Sequence, residues 1–267
     1  RAPMLLIICQ DATDAGYMYS DLLAIGGADS ACILPSGYKR DIKYGQPDQP
    51  QRILRTETLD RISGSNPPRW IVTSPEALAE KVADKKSLDN NTIRLKPGQR
   101  ILLGDLRQKL INLGFNKVDY VYEPGQFAVR GSILDIYSYS HDMPYRVDMF
   151  DDEIDTIRTF DVETQLSDSK VTEATVIGAN ASDATGGVSL LDVIADDTPV
   201  LCQDPEYVTS RISAISNEQY SESALIADEG ETDSLSRVVD PEEFASRFAS
   251  MRIIRWTAAK ETPAGDY

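Results

Sequence analysis

The stretch PYRVDMFDDEIDTIRTFD, residues 144–161, has the period-two pattern of a β-hairpin. Successive side chains of a strand point to opposite faces, so the residues of its first strand divide into two sets. One set is apolar and consists of Tyr145, Val147 and Met149. The other set consists of Arg146, Asp148 and Phe150. The stretch therefore predicts a ribbon with an apolar inner face and an outer face that carries an aromatic side chain among charges.

The preceding stretch, QFAVRGSILDIYSYS at residues 126–140, continues this pattern. Arg130 is out of phase with the apolar Phe127, so it falls on the outer face if the two stretches share a sheet. Arg130, Arg146 and Phe150 would then cluster, and arginine with aromatic residues is typical of the strongest contacts in protein interfaces. The pattern also fits a purely structural surface, in which Arg146 pairs with a cross-strand acid and Phe150 packs beneath the turn.

Upstream of residue 92, strands alternate with helices. Three short apolar runs predict buried strands: MLLIIC (4–9), ACILPS (31–36) and RWIVTS (69–74). Helical patterns follow each of them, and strand–helix–strand order predicts a parallel sheet. We therefore assign residues 1–91 to an α/β domain.

The pattern changes from residue 92 onward. A helical pattern in DLRQKLINLG (105–114) precedes the run of strands, and helices segregated from hairpins predict an α+β domain over residues 92–178. GANASDATGG (178–187) has the composition of a linker. After it strand and helix alternate again, which predicts a second α/β unit over residues 179–267. Its acidic stretch 216–236 is predicted to be a mobile loop.

Composition argues against several classes of protein. The net charge of −16 disfavours broad electrostatic binding of nucleic acid, because phosphate contacts require a basic surface. Cys9, Cys32 and Cys202 lie far apart and His141 is the only histidine, so neither a disulfide framework nor a zinc site is expected. No apolar run approaches the roughly 20 residues of a membrane span. We expect a monomer in the reducing cytoplasm, without membrane association.

The sequence lacks the common catalytic motifs. It contains no Walker loop with its lysine, no GxSxG, no HExxH and no dinucleotide fingerprint. The acids between residues 151 and 155 fall at a turn and do not have the spacing of a calcium loop. We therefore expect no catalytic residue, no metal and no cofactor.

Longer stretches of the chain resemble a known family. The order VRG, ILDI, PYR, FDDEID, IR, FDVETQ between residues 129 and 165 resembles the N-terminal region of bacterial transcription-repair coupling factors, in the part that they share with the excinuclease subunit UvrB. LKPGQRI (95–101) and LGFNKVDYVYEPGQ (113–126) extend the resemblance upstream. Coverage is good from residue 1 to about residue 202 and thinner after it.

The resemblance implies an organisation for the chain. Residues 1–91 would be part of a degenerate helicase-like (RecA-like) domain 1a, residues 92–178 an inserted α+β domain 2, and residues 179–267 part of domain 1b. The family's vestigial nucleotide loop would precede Arg1, so the helicase-like fold would be incomplete and no ATP site is implied. The full-length parent would be an ATP-dependent DNA translocase, contacting RNA polymerase and double-stranded DNA through other domains.

The resemblance also implies a partner. In the family, domain 2 docks on UvrA, the damage-recognition ATPase, and the matching contact positions are Arg130 in VRG, Arg146 in PYR and Phe150 in MFDDE. This chain departs from the family at Met149, where relatives often carry a second aromatic residue. The implied function is a non-catalytic module that binds UvrA and brings nucleotide excision repair to stalled RNA polymerase.

Two other functions remain open from the sequence. The chain could be a fragment of a UvrB-type, ATP-dependent DNA-repair helicase subunit, which ATP turnover by the chain would indicate. It could also be an unrelated small-molecule α/β enzyme, which a deep pocket at the carboxyl ends of the first sheet's strands would indicate.

Overall fold

The computed structural model describes residues 4–37, 49–64, 67–139, 141, 143–178, 187–226 and 237–256. The strands are β1 (Leu5–Ile8), β2 (Ala31–Leu34), β3 (Trp70–Thr73), β4 (Thr92–Leu95), β5 (Asn116–Lys117), β6 (Gln126–Arg130), β7 (Ile133–Ile136), β8 (Tyr145–Phe150), β9 (Glu153–Phe160), β10 (Ser167–Lys170), β11 (Ala174–Ile177), β12 (Val200–Cys202) and β13 (Ile253–Arg255). The helices are α1 (Ala12–Gly26), α2 (Gln49–Ser63), α3 (Pro75–Ala79), α4 (Lys85–Asn90), α5 (Leu103–Asn112), α6 (Leu190–Val193), α7 (Pro205–Ile226) and α8 (Pro241–Ala249). The chain is thus a mixed α/β protein.

A parallel sheet combines the first and last parts of the chain. Its order is β13, β12, β1, β3, β2, and every neighbouring pair is parallel. This confirms the parallel sheet predicted for the first part. It also joins residues 1–91 and 179–267, which the linkers suggest as separate units, because Leu6 of β1 pairs with Val200 of β12. The labels 1a and 1b that the resemblance supplies remain predictions.

Helix starts in this part follow the capping residues of the sequence. Asp11 accepts hydrogen bonds from the backbone N–H groups of Thr13 and Asp14 and so begins α1. Ser189 caps α6 through Leu191 N, and Asp240 caps α8 ahead of Pro241. These side chains satisfy N–H groups that have no partner inside the helix.

The prediction of a mobile loop over residues 216–236 is wrong for its first part, because α7 continues to Ile226. Val208, Ile212 and Ile215 lie on one face of α7 and are buried in the main core, which anchors the helix. The Ser, Glu, Gln and Ala residues that follow are compatible with a helix, and their low complexity misled the prediction. Residues 227–236 lie outside the described part of the chain.

The second sheet contains the predicted hairpin of residues 144–161. Its strand order is β10, β9, β8, β7, β6, β5. The inner face packs against α5, where Leu106 and Leu110 are fully buried, as the helical pattern predicts. Tyr145, Val147 and Met149 point into this core, whereas their neighbours on β8 do not. The predicted alternation of β8 is therefore confirmed.

A two-stranded antiparallel ribbon connects the second sheet to the rest of the chain. β4 enters the unit and β11 leaves it, with Thr92 opposite Ile177. Within the described residues, no helix combines the length and the apolar character needed to cross a bilayer.

The three cysteines are buried and form no disulfide with one another. Burial raises the pKa of the Cys9 thiol to about 11, with Asp14 and Asp11 adding to the effect. Burial raises the pKa of Cys32 to about 12. Both thiols therefore stay protonated near neutral pH, which makes them poor nucleophiles.

Gly125 occupies a position that no other residue fits. Its φ is +84°, and a Cβ at this position would collide with the ring end of Tyr139. We expect Gly125→Ala to lower the free energy of unfolding by about 2 kcal/mol or more, from left-handed strain and overpacking together. Urea denaturation measures this loss.

Gly98 provides the matched control for this prediction. Its φ is +83°, but a Cβ there would meet nothing within 4 Å. Gly98→Ala should therefore show the backbone strain alone, about 1 kcal/mol. Equal losses at the two glycines would mean that the Tyr139 contact contributes nothing.

Candidate protein-interaction site

Strand register places the charged residues of the outer face in two rows across the second sheet. The first row runs through the cross-strand neighbours Ala128, Asp135, Arg146 and Arg158. The second row, nearer the β8–β9 turn, runs through Arg130, Ile133, Asp148 and Thr156. Register partners in a sheet share a face, so Arg130 and Arg146 belong to this outer face, and Phe150 joins them because it lies two residues after Asp148 on β8.

Phe150 is the exposed end of this face. It is the last residue of β8 and is 75% exposed. The turn after it is tight, with Asp151 at a φ of +52°, and Phe150 pairs with Glu153 across it. The alternative in which Phe150 packs beneath the turn does not occur. A phenylalanine held open on a rigid hairpin offers apolar area to a partner with little ordering cost.

Arg146 lies on the same face but is mostly covered, and its side chain is only 12% exposed. Its Nε donates to Asp135 Oδ1 at 2.7 Å, and Nη2 donates to Asp135 Oδ2 at 2.9 Å. Nη1 donates to the Gln165 carbonyl at 2.9 Å. The guanidinium also stacks on the Phe160 ring, with 4.4 Å to the centroid. Hydrogen bonding to Asp135 raises the pKa of Arg146 above its ordinary value.

Arg146 pairs with the cross-strand Asp135, as the purely structural alternative predicts, and this corrects the expectation that both arginines lie open to solvent. A small second core forms on the outer face from Val121, Ala128 and Phe160. The loop after β9 closes over it, where Gln165 donates to the Val121 carbonyl at 3.2 Å. Alternation predicts which face a residue occupies, but it does not show which loops cover that face.

Arg130 is the more accessible of the two arginines, with 34% of its side chain exposed. Its Nη2 contacts Asp135 Oδ2, so one carboxylate joins both arginines. Its guanidinium also lies over the ring of Tyr120, with 4.8 Å to the centroid. Arg130 is therefore held from two sides and keeps part of its surface open.

A second ion pair on this face was not among the predicted site residues. Arg158 contacts Asp148, and Thr156 donates to the same carboxylate at 3.1 Å. Arg158 sits directly opposite Arg146, and two like charges at that spacing require acids beside them. The sequence could have revealed this pair, because Asp148 and Arg158 both lie in the hairpin of residues 144–161 at positions that point to the outer face. Asp135 was also not predicted as a site residue, although it lies in the ILDI motif of residues 133–136.

The outer face differs in charge from the protein as a whole. The two rows contain three arginines, Arg130, Arg146 and Arg158, and two aspartates, Asp135 and Asp148, and these five residues sum to a net +1. The whole chain carries −16. A partner surface with carboxylates around an apolar pocket would match this face.

The carboxyl ends of the parallel strands show a different arrangement. Asp11 after β1 and Asp204 after β12 each accept two backbone N–H groups at the start of the following helix. Gln10 and Gln203 hydrogen-bond to each other across these ends at 3.0 Å. Helix N-termini that could hold a phosphate are thus satisfied by the protein's own carboxylates.

Two cavities lie elsewhere in the described part of the chain. One, of about 480 Å³, lies between β4 and α5, and its lining includes Arg94 and Lys109. The other, of about 270 Å³, lies beside α8 and is lined by Lys81 and Arg247 among others. Neither is at the carboxyl ends of the parallel strands, where the small-molecule enzyme alternative would place its site.

Comparison with known proteins finds a family model that matches the unit carrying the outer face. Residues 93–181 match the family model described as the UvrB interaction domain. The chain is 26% identical over 212 residues to the transcription-repair-coupling factor of Haemophilus influenzae, which covers 78% of this chain and 18% of the relative. It is 31% identical over 144 residues to that of Escherichia coli, covering 54% of this chain and 12% of the relative.

A third relative shows the same partial coverage. The transcription-repair-coupling factor of Staphylococcus aureus is 28% identical over 176 residues, or 66% of this chain and 15% of the relative. The chain thus spans between 12% and 18% of the length of these three relatives.

Proposed function

We propose that the outer face of the six-stranded sheet binds UvrA. The premise is that residues 93–181 match the UvrB interaction domain and that the chain is similar to transcription-repair-coupling factors. The chain would thereby recruit nucleotide excision repair to RNA polymerase stalled at a lesion. The observation that carries the proposal is Phe150, which is 75% exposed on the domain that matches the family model.

The surroundings of Phe150 support an interface rather than an isolated exposed side chain. Arg130 ends β6 and Phe150 ends β8, so both stand at the same end of an antiparallel sheet, about 12 Å apart from strand spacing and rise. A ring that excludes water beside a partly exposed guanidinium gives a partner both apolar contact and a charge-assisted hydrogen bond. Exposed aromatic and arginine side chains at this spacing fit within the roughly 800 Å² that one partner buries in a standard interface.

The proposed role is recruitment without catalysis by this part of the chain. Contacts with RNA polymerase and DNA, and any ATP-driven movement, are proposed to belong to other parts of the full-length protein. The acidic charge of the chain is consistent with this division, since it disfavours DNA on most of the surface.

A binding titration against purified UvrA tests the proposal. We expect Arg130→Ala to weaken the complex about tenfold, because it removes a charge-assisted contact worth about 1.5 kcal/mol. Arg107→Ala is the matched control, because Arg107 is an exposed arginine on α5, which packs against the opposite face. Binding that is unchanged by Arg130→Ala and by Phe150→Ala would reject UvrA docking through this face.

A further inference from the structure

Asp135 is the most deeply buried charge on the outer face, and its side chain is fully shielded from solvent. It lies on β7 between the strands that carry Arg130 and Arg146. Arg146 binds both carboxylate oxygens, and Arg130 binds Oδ2 as well. The buried carboxylate of Asp135 therefore connects Arg130 and Arg146, which the sequence alone does not distinguish as contact residues.

The two arginines differ in what they can offer a partner. Each nitrogen of the Arg146 guanidinium already donates inside the protein: Nε and Nη2 to Asp135, and Nη1 to Gln165. Its π-face is occupied by Phe160. Among the described residues, Arg130 uses only Nη2 in a hydrogen bond, so its other nitrogens remain available. A partner can therefore reach Arg130 but gains little from Arg146.

Charge explains why Asp135 controls where the Arg130 head group lies. Two guanidinium groups beside one carboxylate carry a net +1, and both point toward that carboxylate. Without the negative charge, the two groups would repel each other in a poorly solvated setting, and the more exposed Arg130 would move away. The Tyr120 ring supports Arg130 from its other side at 4.8 Å.

We infer that Asp135 and Tyr120 are positioning residues for UvrA binding, and that Arg146 acts through Asp135 rather than by touching the partner. This inference rests on the proposed function. The Asp135 carboxylate and the Tyr120 ring hold the Arg130 guanidinium in the orientation in which it contacts an acidic group of UvrA. Fixing the fork in advance removes the side-chain entropy that a free arginine would lose on binding.

A double-mutant cycle with purified UvrA tests the role of Asp135. Asp135→Asn should weaken binding about tenfold in the otherwise unchanged chain. In an Arg130→Ala background the same substitution should change binding less than about twofold, because no guanidinium remains to be positioned. Titrations are run well below the lowest melting temperature in the set, so that every variant is folded.

Tyr120 gives a second cycle that does not disturb a buried charge. Tyr120→Ala should weaken binding about threefold to fivefold with little change in melting temperature, and this effect should also vanish in the Arg130→Ala background. Tyr122→Ala is the matched control, since Tyr122 is a similarly exposed tyrosine two residues away. We expect it to change binding less than about twofold.

The outcomes separate this inference from the proposed function. If Arg130→Ala weakens binding but Asp135→Asn and Tyr120→Ala do not, Arg130 needs no positioning and the inference fails. Equal losses from Asp135→Asn in both backgrounds would assign Asp135 a general structural role and also overturn it. If Arg130→Ala and Phe150→Ala both leave binding unchanged, the proposed function itself fails.

Discussion

Replacing Phe150 by alanine should weaken UvrA binding by about thirtyfold or more, which corresponds to about 2 kcal/mol. The ring is 75% exposed in the free chain and makes no part of either core of its unit. Its removal should therefore leave the melting temperature within about 1 °C, because the substitution changes the surface alone. Isothermal titration and a thermal melt of the same sample measure the two quantities together.

Tyr17→Ala is the matched control for Phe150. Tyr17 is an aromatic residue of α1 that is 70% exposed, and it belongs to the parallel-sheet part of the chain. We expect UvrA binding by this variant to equal that of the unchanged chain. A comparable loss for Tyr17→Ala would show that exposed aromatic area in general, rather than the hairpin end, determines the affinity.

Replacing Arg146 by alanine should, unlike Phe150→Ala, have its largest effect on the free energy of unfolding. The substitution leaves the fully buried Asp135 with Arg130 as its only remaining cation among the described residues. Breaking a buried ion pair from one side costs about 3 kcal/mol or more, and here the buried carboxylate would lose both Arg146 hydrogen bonds and keep only the Arg130 contact. Chemical denaturation should show this loss, and UvrA binding should fall as well, because Asp135 loses the two Arg146 hydrogen bonds that fix its orientation toward Arg130.

Arg130→Ala provides the comparison within the same cluster. Arg130 is more exposed, and after its removal Asp135 keeps both hydrogen bonds from Arg146. The expected stability loss is about 1 kcal/mol or less, as for other partly exposed ion pairs. Equal losses of unfolding free energy for Arg146→Ala and Arg130→Ala would contradict the assignment of Arg146 as a buried structural residue and Arg130 as an exposed contact residue.

Local patterns predicted much of the candidate site. The period-two alternation of β8 placed Arg146 and Phe150 on one face, and the buried Tyr145 and Val147 on the other. The pattern could not predict the depth of Arg146, because that depends on the loop around Gln165, which folds back over Phe160. The contact between Arg146 and Gln165 joins residues that are 19 positions apart, and no local sequence pattern indicates it.

The fold shows the same limit at a larger scale. Capping residues such as Asp11 and Asp240 lie in the sequence where helices begin in the structure, so this feature is local. The joining of β12 to β1 was not predicted, because pairing between Leu6 and Val200 spans most of the chain and parallel register leaves no turn to recognise. Asp135 was missed for a related reason, since a single acid in a strand is informative only once its cross-strand neighbours are known.

The ribbon of β4 and β11 has a practical consequence. Thr92 and Ile177 are direct partners, so the polypeptide leaves the parallel-sheet part and returns to it at points about 5 Å apart. A unit whose two ends nearly touch can be excised, or transplanted into a surface turn of an unrelated host, with almost no loop-closure entropy to overcome. We therefore expect residues 92–178 to fold when moved into another protein and to carry the proposed UvrA-binding face with them.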